Sequence, residues 1–117
     1  MIANLYERQN MIKKNIYRNK TCAELRIENA GEEVRLAGWV DTIRKLGGIT
    51  FLTLRDHYGI TQVLVRDDKM LEGINKETVI SVLGTVIERE SKNPKMETGD
   101  IEIDCKEITV LGKCNPV

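Results

Sequence analysis

Phe51 is the only phenylalanine of the chain, and together with Gln62 it forms the pair of residues best placed to do chemistry. Phe51 lies in ITFLTLRD, where strand alternation sends Leu52 and Leu54 to one face and Phe51, Thr53 and Arg55 to the other. The aliphatic pair suits a core, which leaves the phenyl ring pointing outward. Asp56-His57-Tyr58-Gly59 reads as a tight turn, after which ITQVLV divides into Thr61, Val63 and Val65 against Ile60, Gln62 and Leu64. With two residues in the loop, Asp56 pairs with Gly59 and Gln62 falls on the face that carries Phe51. A ring on which a flat group can stack, next to an amide that both donates and accepts, is equipment for reading a nucleobase edge. Taken singly, an outward apolar side chain is common and a strand glutamine unremarkable; the shared face is what gives them meaning.

Catalytic chemistry finds no comparable footing. There is no G-x-S-x-G elbow, P-loop or H-E-x-x-H pair. Adjacent acids such as Asp67-Asp68 and Glu32-Glu33 sit in turn-like surroundings where solvation is the expectation, and His57, the single histidine, falls at a hairpin tip. Cys22, Cys105 and Cys114 are odd in number and lack a C-x-x-C spacing, which predicts reduced thiols with neither a disulfide framework nor a metal site. The reading is of a binding module with no catalytic residues.

The elements that must hold Phe51 and Gln62 follow from periodicity. Residues 1–16 form a basic arm rich in lysine and arginine, expected to be frayed and solvated, and residues 17–117 form the folded domain. Thr21 followed by Glu24 has capping-box spacing and predicts a short helix through Leu25 and Ile27 that stops near Gly31. A first strand runs from about Glu33 to Ile43, with Gly38 marking a bend that lets it serve both halves of a small barrel. Trp39, beside that bend, is read as packing. Arg44-Lys45-Leu46-Gly47-Gly48 makes a basic turn into the strand of Phe51. After Val65, Met70, Leu71 and Ile74 at helical spacing predict a short helix within 67–78. A fourth strand from Val79 to Arg89 and a fifth from Ile101 towards Val110 flank a loop with an Asn93-Pro94 turn signal. An all-β chain with five strands, a short N-terminal helix and a short helix between the third and fourth strands matches the plan of an OB-fold barrel.

At 117 residues the chain holds one domain, with 41% hydrophobic and 31% charged residues and aromatics at only 4%. The formal net charge of zero argues against bulk electrostatic attraction to nucleic acid, though a neutral total is compatible with a basic face. No apolar run approaches a membrane span and no signal-peptide pattern opens the chain, so the expectation is a cytoplasmic protein without a membrane partner.

The blocks YRNKTCAELR, VRLAGWVDTIRKLGGITFLTLRDHYGITQV, LGTVIERESKN and ETGDIEI, in this order from about Tyr17 to Leu111, resemble the N-terminal anticodon-binding domain of bacterial-type aspartyl-tRNA synthetases. The resemblance implies an OB-fold that grips the anticodon loop of tRNA-Asp. Phe51 matches the aromatic on which the central uracil stacks, and Gln62 the amide that reads its edge. Arg44 matches a loop arginine facing the anticodon, Glu102 an acid near the same bases, and Arg89 and Asn93 a strand-end arginine and a loop asparagine on the other side. The family often carries a second arginine two residues before Arg89, where this chain has Ile87. Aminoacylation, with its ATP and magnesium, would belong to a catalytic domain beyond this chain, and the full-length enzymes of the family are homodimers. Two other readings stay open on the residues alone. One is a freestanding, sequence-tolerant single-strand binder; the other is a protein-interaction module that uses the outward Ile60 and Leu64.

Overall fold

The computed structural model describes residues 18–113; the basic arm expected over 1–16, like the segment 114–117, lies outside the described residues. Five strands close into a barrel in the order β1-β2-β3-β5-β4, where β1 is Glu33–Leu46, β2 Ile49–Arg55, β3 Ile60–Val65, β4 Thr78–Glu88 and β5 Ile101–Lys113. All neighbours are antiparallel except β3 and β5, which meet in a parallel pairing of Val63 with Ile103 and Leu64 with Asp104.

The first strand serves both halves of the barrel, as anticipated, while its register irregularity falls beyond Gly38. The first half of β1 pairs with β4 through Glu33 to Trp39, and the second half pairs with β2 from Trp39 onward, with a register shift between Val40 and Thr42. A Cβ at Gly38 would lie 2.2 Å from the backbone oxygen of Arg55, so only glycine permits this crossing. Trp39 is half-buried with its ring edge against His57, at 5.7 Å between centroids.

The predicted faces of the hairpin hold for the core side: Leu52, Leu54, Thr61, Val63 and Val65 are fully buried, joined by Leu36, Ile80 and Ile103. The other face differs from expectation. Gln62 and Leu64, read as outward, are buried to 8% and 5% exposure. Leu64 pairs across the hairpin with Phe51, and Gln62 is covered where β3 meets β5. The interaction patch imagined over Ile60 and Leu64 is therefore reduced to a half-buried Ile60.

Both expected helices are present only as single 3-10 turns, Ile27–Asn29 and Asp68–Leu71. At the N-terminal site Glu24 does accept from the Thr21 N–H at 2.6 Å, as a capping box requires. The next N–H, of Cys22, points to Asp56 Oδ2 at 2.8 Å, and the carbonyl of Cys22 accepts from the Thr61 hydroxyl at 2.6 Å. Tertiary partners thus take the backbone groups that a helix would use, and Cys22 and Leu25 are buried in the barrel core. Among the described residues no helix is long and apolar enough to cross a membrane.

Candidate nucleic-acid interface

The outer faces of β1, β2, β3 and β5, the end of β4 and the start of the β4–β5 loop enclose a groove of about 620 Å³. Phe51, Gln62, Arg44, Arg89, Asn93 and Glu102 all line it, so the structure brings every residue singled out in the sequence to one place. Leu46, Ile49, Leu64, Arg66, Ile87 and Lys92 also border it, none of them assigned a place in the groove by the sequence. Strand alternation places Ile49 and Leu64 on the faces of Phe51 and Gln62, but that Arg66 and Lys92 join them depends on how distant strands come together.

The hairpin register builds the floor. Phe51 is cross-strand from Arg44 on one side and from Leu64 on the other, and the Arg44 guanidinium lies 5.6 Å from the centre of the Phe51 ring. The half-buried ring and the exposed guanidinium give the groove two planar surfaces for a flat ligand. One strand along, Gln62 Nε2 donates to Glu102 Oε1 at 2.7 Å, with Glu102 itself only 7% exposed. The pair sits beside the Val63–Ile103 pairing, where rigid strands from both sides hold it.

The far wall is the loop after β4. It is shaped by Asn93, whose N–H donates to Gly99 O at 2.9 Å and whose Oδ1 accepts from Lys95 N at 3.0 Å, an Asx turn that leaves its amide nitrogen without a partner among the described residues. A Cβ on Gly99 would come within 1.8 Å of Asn93 O, so this close return of the loop requires glycine. The Thr98 hydroxyl then donates to Ile60 O at 2.5 Å and ties the loop back to β3.

Charge in the groove is unevenly neutralised. Arg66 is paired with Asp104 at 3.1 Å and Lys92 with Glu88 at 2.6 Å, the latter contact holding the lysine above its ordinary pKa. Arg44 and Arg89 have no carboxylate partner among the described residues. Arg89 Nη1 is moreover the one buried side-chain nitrogen or oxygen among the described residues that lacks a hydrogen bond. A guanidinium nitrogen held out of water without an acceptor is costly to the folded state. Ile87, at the position often basic in the family that the sequence resembles, lines the groove as an apolar side chain. Among the described residues no cluster of three or more histidine, cysteine, aspartate or glutamate side chains is arranged to hold a metal ion.

Comparison with known proteins bears on the family and the fold. An aspartate–tRNA ligase of Mesoplasma florum is 48% identical over 98 residues, which cover 82% of this chain and 17% of that protein. The chain accordingly spans less than a fifth of the length of the curated relatives it matches. The structure of an asparaginyl-tRNA synthetase from Pyrococcus horikoshii complexed with asparaginyl-adenylate superposes with a TM-score of 0.68 at 27% identity, over 85% of this chain and 23% of that one. An aspartyl-tRNA synthetase from Entamoeba histolytica shares the fold, with a TM-score of 0.73 at 22% identity over 99% of this chain and 26% of that one. Over residues 34–111 the chain matches the tRNA anti-codon family, described as an OB-fold nucleic acid binding domain, and it belongs to that family.

Proposed function

We propose that this domain holds the anticodon loop of tRNA-Asp in the groove and discriminates its bases, in support of an aminoacylation carried out by the part of such ligases that this chain does not span. The observation that carries the reading is convergence: a stacking ring, an edge-reading amide and two guanidiniums without carboxylate partners line one groove. Phe51 supplies affinity through stacking, about 1–3 kcal/mol per base and tolerant of base identity. Selectivity comes from Gln62, since an amide left unpaired by the wrong base costs about 1–3 kcal/mol. Arg44, Arg89 and the amide nitrogen of Asn93 donate to phosphate or base oxygens. ATP and magnesium belong to the catalytic portion of such ligases, which this chain does not span.

The test is a titration of the chain with an anticodon stem-loop bearing GUC and with the same hairpin carrying A in the middle position. The expected result is tighter binding of GUC that weakens as salt rises. Equal binding of both hairpins would refute base discrimination, and binding of neither would refute a self-sufficient anticodon reader.

A further inference from the structure

The contact between Gln62 and Glu102 fixes more than a distance. A carboxylate accepts hydrogen bonds and cannot donate them, so the end of the amide facing Glu102 has to be the nitrogen. Gln62 Oε1 is thereby turned away from Glu102. It has no hydrogen-bond partner among the described residues, is not sealed from solvent, and belongs to a side chain that lines the groove. Both members of the pair are buried and carried on strands, in surroundings where such a bond is strengthened and its geometry held.

This polarity has a counterpart in the pyrimidines. Uracil and cytosine share a ring and differ on the pairing edge by exchanging donor and acceptor at two adjacent positions: N3–H and O4 in uracil, N3 and the N4 amino group in cytosine. The two flips of a primary amide differ by the same exchange. An amide whose oxygen meets N3 and whose second N–H meets the neighbouring oxygen fits uracil, and the flipped amide fits cytosine.

We infer that Glu102 is a positioning residue that sets the direction of the Gln62 amide, so that the groove takes uracil and rejects cytosine at the stacked position. The inference rests on the anticodon reading above and names how that reading is made at one base. It assigns Glu102 a role through Gln62, which neither an acidic surface residue nor a direct contact to a neighbouring base would have.

The experiment titrates the chain and two variants with hairpins whose middle base is U or C. The unaltered chain is expected to prefer U. Glu102→Gln keeps the shape but offers an amide that can face Gln62 with either end, and the U-over-C preference falls by about tenfold, chiefly through tighter binding of the C hairpin. Glu102→Lys offers only donors, turns Gln62 Oε1 toward itself, and makes C the preferred base. Both hairpins are compared on one protein, so a change in net charge or in folded fraction cancels in the ratio. Variants that keep the original ratio would overturn the positioning role and leave the anticodon reading intact; an unaltered chain that binds both hairpins equally would overturn both.

Discussion

The two ends of the β2–β3 hairpin use the same kinds of polar groups in opposite ways. At the turn, Asp56 accepts from the N–H groups of Cys22, Tyr58 and Gly59 at 2.8–2.9 Å, and Thr61 donates to Cys22 O. Toward the groove, and among the described residues, Arg44 and Arg89 lack carboxylate partners, Arg89 Nη1 is buried without a partner, and Gln62 presents an unpaired oxygen. Satisfied groups contribute to the fold because unfolding returns them to water at no advantage. Unsatisfied ones make the folded state less stable than it could be and hold that free energy available for a ligand. The barrel is thus fastened at one end and left open to a ligand at the other.

The largest effect is expected where the fastening is densest. Asp56→Ala removes one buried carboxylate and strands three backbone donors, and should lower unfolding free energy by about 3 kcal/mol in urea titrations. Hairpin affinity per folded molecule should stay within about twofold, because Asp56 does not border the groove. A variant that keeps its stability would break the contrast between the two ends.

Alkaline pH sharpens the same contrast from the core. Burial pushes the Cys105 thiol up to about 12 and raises Cys22 still further, with Asp56 adding to the burial of the latter. The folded chain therefore retains protons that the unfolded chain releases above the ordinary thiol value of 9.0. Stability is fully present below that value and declines as pH climbs from it toward 12, by about 1.4 kcal/mol per thiol per pH unit. Urea midpoints at pH 8 and pH 10 check the sign, which an increase would contradict.

At the groove the effects should move affinity and spare the fold. Phe51→Ala removes the stacking ring and its contact to Arg44, and should weaken every hairpin alike by about 1–3 kcal/mol in fluorescence anisotropy titrations. A loss confined to one anticodon would reassign base selection from Gln62 to the ring.

How far this division could be read in the sequence depends on how local its causes are. The hairpin, its register and the face of Phe51 follow from alternation and a four-residue turn, and they were legible. Asp56 pairs with Gly59 as expected, through an N–H to O contact of 3.0 Å. The burial of Gln62 was not legible, because its cover comes from Glu102 across a parallel pairing to a strand far along the chain. The capping-box signal at Thr21 and Glu24 was read correctly as a hydrogen bond and too generously as a helix, since the partners that end it, Asp56 and Thr61, lie in the hairpin. Arg89 could be placed in the groove by resemblance. That its guanidinium lacks an acceptor is a property of the packed loop alone.

The smallest effect is also the most discriminating, because its two halves carry opposite signs. Arg89→Met keeps much of the side chain's apolar length and deletes the buried Nη1. Removing an unsatisfied donor should leave stability unchanged or raise it by up to about 1 kcal/mol, while affinity for the GUC hairpin falls by about 1–2 kcal/mol through loss of a charge-assisted bond. If Nη1 instead helps the loop fold, stability and affinity fall together, and the groove would be an ordinary part of the scaffold. Only a gain or standstill in urea midpoint paired with weaker binding separates an arginine kept for the ligand from one kept for the fold.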